Sequence, residues 1–181
     1  MATRRGTGGA GTTFPIALPL TATLFNGTSG VEDRQGGDSD GGGAGEYKIV
    51  LHFTNPLTAG AASVTAHNPG GSGGSVGGVS FSGTDMTVRL TGVTNGQVLT
   101  LTATSVTAGT NVIPSVDVNV GFLAGDTTGS RNVNATDVSQ TKAASGAPLT
   151  GANFRTDVTH SGTTNSSDVS TVKGASGTAL P

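Results

Sequence analysis

Asp126-Thr127-Thr128-Gly129-Ser130-Arg131-Asn132-Val133-Asn134-Ala135-Thr136-Asp137 returns, at an offset of 31 residues, as Asp157-Val158-Thr159-His160-Ser161-Gly162-Thr163-Thr164-Asn165-Ser166-Ser167-Asp168. The register holds beyond the stretch itself, through Ser139/Ser170, Lys142/Lys173, Ser145/Ser176, Gly146/Gly177 and Leu149/Leu180. Unstructured Ser/Thr-rich sequence does not keep its Asp, Asn and Lys in step, so the match marks a repeated supersecondary unit.

The spacing inside each copy carries the chemistry. A twelve-residue loop around calcium presents oxygens from positions 1, 3, 5, 7 (a backbone carbonyl), 9 and 12. The first copy places Asp126, Thr128, Ser130, Asn132, Asn134 and Asp137 there, and the second Asp157, Thr159, Ser161, Thr163, Asn165 and Asp168. All can offer oxygen. A short helical pattern follows each position 12, beginning at Val138 and Val169, and Gly146 and Gly177 stand where a left-handed cap residue belongs. Loop then helix, twice, is half an EF-hand repeated without its entering helix.

This arrangement resembles the type I dockerin module, whose paired repeats read loop-helix, linker, loop-helix, with Asp at position 12. Gly125-Asp126, Val133 to Val138 and Asn165 to Val169 carry the likeness, which spans residues 125–181. The family usually has Asn or Asp at positions 3 and 5, where this chain has Thr and Ser. The sharp-turn glycine of position 6 is present as Gly162 but replaced by Arg131 in the first copy, which favours the second loop as a metal site. The resemblance implies calcium, one or two ions, and a cohesin-like protein partner. The partner would meet Ala135, Thr136 and Lys142 in one copy and Ser166, Ser167 and Lys173 in the other. Those small hydroxyl residues would serve equally well as helix N-caps.

With two carboxylates per loop, affinity should lie at roughly 10⁻⁴–10⁻³ M, as in other extracellular modules. The alternative is a loop closed by its own Asp and Asn side chains hydrogen-bonding local backbone.

Outside the repeat, composition excludes more than it assigns. Charged residues make up 11% of the 181-residue chain, against about 25% for an ordinary globular protein. The nine Lys and Arg form no patch beyond Arg4-Arg5, so no nucleic-acid partner is expected. There is no cysteine, hence no disulfide framework and no thiolate metal site. No apolar run reaches membrane-spanning length. The basic Met1-Ala2-Thr3-Arg4-Arg5 start is not followed by the apolar stretch of a signal peptide. The resemblance to dockerins implies an extracellular or cell-surface location, with the leader absent from this chain.

Residues 1–124 read as strands. Phe14, Ile16, Leu18 and Leu20 alternate with Pro15, Ala17 and Pro19, the mark of an edge strand. Tyr47, Ile49, Leu51 and Phe53 alternate with Lys48, Val50 and His52, and Asn55-Pro56 ends the run. Shorter strands are expected at 62–67, 79–81, 85–90, 98–104 and 116–122, with a returning turn at Thr94-Asn95-Gly96. Residues 26–45, with Glu32, Asp33, Asp38 and Asp40, read as a solvated surface loop. The expectation is a mainly β chain: an antiparallel, Ig-like β-sandwich over 1–124, then a small α-helical dockerin-like module over 125–181. That module's core is expected from Val138, Leu149, Phe154, Val169, Val172 and Leu180. Strand-rich segments of this kind precede dockerin-type repeats at the ends of large secreted bacterial proteins.

Nothing reads as a catalytic constellation. His52, His67 and His160 are not at metal-ligand spacing, and Glu32 and Glu46 are the only glutamates. His160 is expected to face solvent. A carbohydrate site would want exposed aromatics, but there is no Trp and Tyr47 is the only Tyr. The leading functional reading is a non-catalytic, extracellular calcium-binding protein that docks to a partner. The second is a subunit assembling with copies of itself into a filament or surface layer, with Phe14, Ile16, Leu18 and Leu20 completing a neighbour's sheet.

Overall fold

A computed structural model describes residues 2–5, 14, 16–18, 30–36, 46–66 and 74–181. Leu20, His67, Asp38, Asp40 and the glycine-rich 69–73 lie outside the described residues. The chain is mainly β: two sheets, followed by two short C-terminal helices.

Alternation builds the sheets as their sequences imply. In β4 (Tyr47–His52) and β7 (Asp85–Thr91), the pairs Tyr47↔Leu90, Ile49↔Val88 and Leu51↔Met86 put one apolar row on the inner face. β8 (Gln97–Ala108) and β9 (Asn111–Phe122) do the same through Leu99↔Val120, Leu101↔Val118 and Ala103↔Val116. β5 (Leu57–Ala66) extends that face with Val64↔Leu101 and Ala66↔Leu99. β6 (Ser75–Ser82) closes the other sheet as a hairpin with β7 around Gly83, whose φ of 57° suits the tight turn.

With β1 (Ala2–Arg5), β2 (Ile16–Leu18) and β3 (Val31–Glu32), the orders are β2-β1-β4-β7-β6 and β3-β9-β8-β5. The inner faces share one core, from Ile49, Met86 and Leu90 on one sheet to Leu101, Val118 and Phe122 on the other.

Five differences from the sequence reading have physical causes. β5, β6, β8 and β9 run 10, 8, 12 and 12 residues, because Gly, Ala, Ser and Thr occupy edge and outer positions where little apolar alternation is required. The Thr94-Asn95-Gly96 turn does not return a strand upon its neighbour: β7 and β8 belong to different sheets. β3 pairs with β9 in parallel, so the architecture is not wholly antiparallel. β1 had no apolar signal, and its ladders to β2 and β4 place it inside the sheet.

The fifth concerns residues 30–36. Read as part of a solvated loop, this stretch instead carries Val31, Glu32, Asp33 and Arg34 fully into the interior. The strand expected around residues 14–20 is found, among described residues, as β2 at the sheet edge. Ile16 and Leu18 enter the core of their own chain there, and Phe14 stacks on Phe154 with ring centroids 5.3 Å apart.

Helices α1 (Ala135–Ala144) and α2 (Ser166–Ala175) flank a 3-10 turn, Phe154–Thr156. A second core joins them to the sheets: Val31, Val98 and Leu123 meet Val133, Val158, Val172 and Leu180. Of the expected module core, Val172 and Leu180 are buried and Val138 packs against them. Val169 and Leu149 are half-buried outside that cluster, and Phe154 packs on the inter-sheet core instead. Among the described residues no helix is long and apolar enough to cross a membrane.

Candidate metal centre

In each repeat the first carboxylate folds back over the turn that follows it. Asp126 Oδ1 accepts from Ser130 N at 2.8 Å and Oδ2 from Arg131 N at 2.7 Å. Asp157 does the same with Ser161 N at 2.9 Å and Gly162 N at 2.8 Å. Bending the backbone this tightly requires left-handed residues at loop positions 4 and 6. These are Gly129 (φ 71°) and Arg131 (φ 72°) in the first loop, His160 (φ 58°) and Gly162 (φ 89°) in the second. Each loop thus has one glycine for two such positions, and the two loops place it oppositely. His160, expected to face solvent, is half-buried.

The twelfth residue closes the loop from the other end. Asp137 Oδ1 accepts from Thr128 N and Thr128 Oγ1 at 2.9 and 2.8 Å, and its Oδ2 from Asn134 N at 2.9 Å. Asp168 repeats the set with Thr159 N, Thr159 Oγ1 and Asn165 N at 2.9, 2.8 and 2.8 Å. Thr128 Oγ1 also lies 3.3 Å from Asp126 Oδ1 and 3.1 Å from Ser130 Oγ. The two carboxylates of the first loop therefore converge on a single oxygen. The position-7 carbonyls turn inward as well, Asn132 O at 3.1 Å from Ser130 Oγ and Thr163 O at 2.9 Å from Ser161 Oγ.

All four Asp side chains are buried. Burial raises the pKa of Asp126 and of Asp157 above the ordinary carboxylate value. The N–H donors of the turn oppose that rise, and the facing charge of Asp137 or Asp168 adds to it.

The donor set consists of carboxylate, hydroxyl, amide and carbonyl oxygens without His or Cys, which suits a hard cation such as calcium. Among the described residues no three His, Asp or Glu side chains cluster as a metal site; each loop brings two carboxylates. The loop-closing hydrogen bonds that the sequence offered as the alternative to metal are all present.

Both helices start on a capping box. Asn134 and Asn165 accept from Thr136 N and Ser167 N at 2.7 and 2.8 Å, and Asp137 and Asp168 cap in return. Capping thus falls to Asn and Asp, leaving Ala135, Thr136, Ser166 and Ser167 free of that task. These four, with Lys142 and Lys173, are all exposed. Gly146 (φ 80°) and Gly177 (φ 91°) are the left-handed residues that end the helices.

The repeats hold each other reciprocally. Gly146 N donates to Thr164 O at 3.0 Å and Gly177 N to Val133 O at 2.8 Å, linking each helix end to position 8 of the other loop. Their outer supports differ. The first loop is backed by the C-terminal residues, through Val133 N to Thr178 O, Leu180 N to Arg131 O and Arg131 Nη2 to Pro181 O at 2.9, 2.9 and 2.7 Å. The second is backed by residues 31–35. Gln35 N donates to Val158 O at 2.8 Å, and Arg155 reaches Asp33 Oδ1 at 2.7 Å and Val31 O at 3.0 Å. Arg34, paired with Glu32 at 2.8 Å, stands over the Phe154 ring at 5.4 Å.

Sequence reasoning missed this junction and the inward positions 2 and 8. Thr127 and Val133 are buried in the first loop, Val158 and Thr164 in the second. The offset of 31 residues contained the signal: each position holds one Val and one Thr, of nearly equal shape. His52, at the end of β4, is half-exposed with Nδ1 2.7 Å from Asp85 Oδ1. Compared with known proteins, the chain matches no protein-family model, no curated protein and no solved structure.

Proposed function

We propose that this is a non-catalytic, extracellular calcium-binding assembly protein, an Ig-like β-sandwich carrying a dockerin-like module. The observation behind it is the duplicated geometry of the loops. In both, buried Asp residues at positions 1 and 12 are oriented by the same backbone donors. Asp126 and Asp157, raised in pKa by burial first and then by the facing carboxylate, each belong to a pair whose repulsion a divalent cation relieves. Asp126 and Asp137 would hold the first ion, and Asp157 and Asp168 the second, with Thr128, Ser130, Thr159 and Ser161 completing the oxygen set. Calcium would neutralise each carboxylate pair and fix the loop's shape.

The exposed Ala135, Thr136 and Lys142, and their counterparts Ser166, Ser167 and Lys173, form two equivalent faces for a cohesin-like partner. Their exposure without a capping duty supports that role. Titration calorimetry with calcium on chelator-treated chain tests the metal. Heat with a midpoint in the roughly 10⁻⁴–10⁻³ M range supports it, and none at ~10 mM, the top of that weak-site scale, overturns it.

A second reading, self-assembly, draws on β2. A three-residue edge strand anchored by Ile16 and Leu18 could be supplied by another copy as readily as by the same chain. Deletion of residues 1–24 distinguishes the two. A soluble monomer rescued by the strand peptide supports exchange, and an unfolded chain ties the strand to its own sheet. Full-length chain that stays monomeric in light scattering at every concentration, with calcium, removes self-assembly.

A further inference from the structure

Among the described residues, the junction between the sheets and the second loop holds more carboxylates than guanidiniums. Asp33 is wholly buried. Its own segment contributes Glu32 and Arg34, and the 3-10 turn contributes Arg155, the nearest opposite charge. Asp157, at the head of the second loop, acts on the same cluster through Arg34. The stretch after β9 meets Asp33 through the backbone, Gly125 N donating to Asp33 O at 2.8 Å.

Among the described residues, three carboxylates thus share two guanidiniums. Arg34 is committed to Glu32 by two bonds of 2.8 and 3.1 Å, and Asp157 is held by the N–H groups of Ser161 and Gly162. Asp33 Oδ1 takes Arg155, while Asp33 Oδ2 is buried with no hydrogen-bond donor. A buried, unpaired carboxylate oxygen is costly when ionised, and a proton on it removes the cost.

We propose that Asp33 is a proton-operated fastener between the sheets and the helical repeats, gripping most firmly when its free oxygen is protonated. Burial, the largest cause, pushes Asp33 up to about 7 from 3.8, and Glu32 adds to the rise while Arg155 and Arg34 oppose it. Across that window the folded chain keeps a proton that the unfolded chain has lost, so stability falls as pH rises and levels off above it. The Arg155 pair does not reverse this direction, because one guanidinium leaves half the carboxylate unsatisfied. The proposal is independent of calcium.

The test is thermal unfolding of the full chain from pH 5 to pH 8 in chelator, beside Asp33→Asn, which keeps the shape and mimics the protonated side chain. The wild-type midpoint should fall with rising pH relative to the variant, and the variant should be at least as stable at pH 8. A wild type whose pH dependence matches the variant's, or that gains stability over it as pH rises, overturns the proposal. Should the amide variant not fold, the carboxyl-carbon resonance of Asp33 in the wild type decides. A titration midpoint near 7 supports the fastener, and one in the ordinary carboxylate range overturns it.

Discussion

The two loops are alike where they contact themselves and the end of the other repeat's helix, and unlike in their outer supports. Inside, the same positions make the same bonds at nearly the same lengths: Asp126 with Ser130 and Arg131, Asp157 with Ser161 and Gly162, Asp137 with Thr128, Asp168 with Thr159. Outside, the first rests on Thr178, Leu180 and Pro181, and the second on Val31, Asp33 and Gln35. Loop shape is therefore written within each repeat, whereas its attachment depends on partners far along the chain. Changes within a loop should act alike in both copies, and changes at the supports should not.

The largest effect tests the likeness. Asp137→Ala and Asp168→Ala each strip a buried acceptor from two backbone N–H groups and a hydroxyl. They also remove half of a capping box. Each should lower stability by about 3–4 kcal/mol in chelator, by matching amounts in denaturant unfolding. Each should also remove the calcium heat of its own loop and leave the other's. A cost several-fold larger in one copy would mean that the internal bonds do not set loop stability.

The next effect should appear in one copy alone. Arg155→Leu leaves Asp33 buried without its partly exposed cation, which should cost about 3 kcal/mol at pH 8, the low end for a broken buried pair. At pH 5 the loss should shrink, because a protonated Asp33, raised to about 7 by burial, no longer needs the guanidinium. Hydrogen exchange should then accelerate at Gln35, whose N–H bonds Val158 O, and stay unchanged at Val133, whose N–H bonds Thr178 O. Equal acceleration at both would show the repeats to be one cooperative unit, not two separately anchored loops.

That split also explains how far the sequence could be read. Closing glycines and wrapped carboxylates act within a dozen residues, so spacing alone reveals them, whereas the N-caps fall to Asn134 and Asn165 and not to the hydroxyl residues that follow. The inner rows of β4, β7, β8 and β9 were equally plain, since burial on one face enforces a period of two. The Asp33–Arg155 contact spans 122 residues, and a run such as Glu32-Asp33-Arg34 reads as solvated until its partners arrive. β1 and the long edges of β5 and β6 were hidden for a different reason. Most of their residues are small or polar, and ladder hydrogen bonding is backbone chemistry that side chains do not announce.

Calcium sharpens the comparison at a smaller scale. For a site near 10⁻³ M, about 10 mM calcium should stabilise the chain by roughly 1.4 kcal/mol per occupied loop. The rise should be seen as a higher thermal midpoint. Repeating the measurement in Asp137→Ala and Asp168→Ala divides it between the loops. A rise confined to one variant would show that occupancy follows the supports and not the shared internal geometry.

The smallest effect isolates the internal difference at position 6. Position 6 is left-handed in both loops and donates the same bond, Arg131 N to Asp126 at 2.7 Å and Gly162 N to Asp157 at 2.8 Å. Only the Cβ differs. A side chain in that region costs about 1–2 kcal/mol, offset by about 0.4–1 kcal/mol because glycine leaves the unfolded chain more freedom. Arg131→Gly should therefore gain roughly 0.5–1 kcal/mol, and Gly162→Arg should lose a similar amount. Arg131 also reaches Pro181 O, and Arg131→Ala separates the terms: it gives up the guanidinium bond but keeps the strained backbone. If Arg131→Ala falls below wild type while Arg131→Gly rises above it, backbone strain at position 6 divides the loops. If Arg131→Gly falls as far as Arg131→Ala, the hold on the C-terminal residues outweighs the strain, and the first loop depends on its support even at its tightest turn.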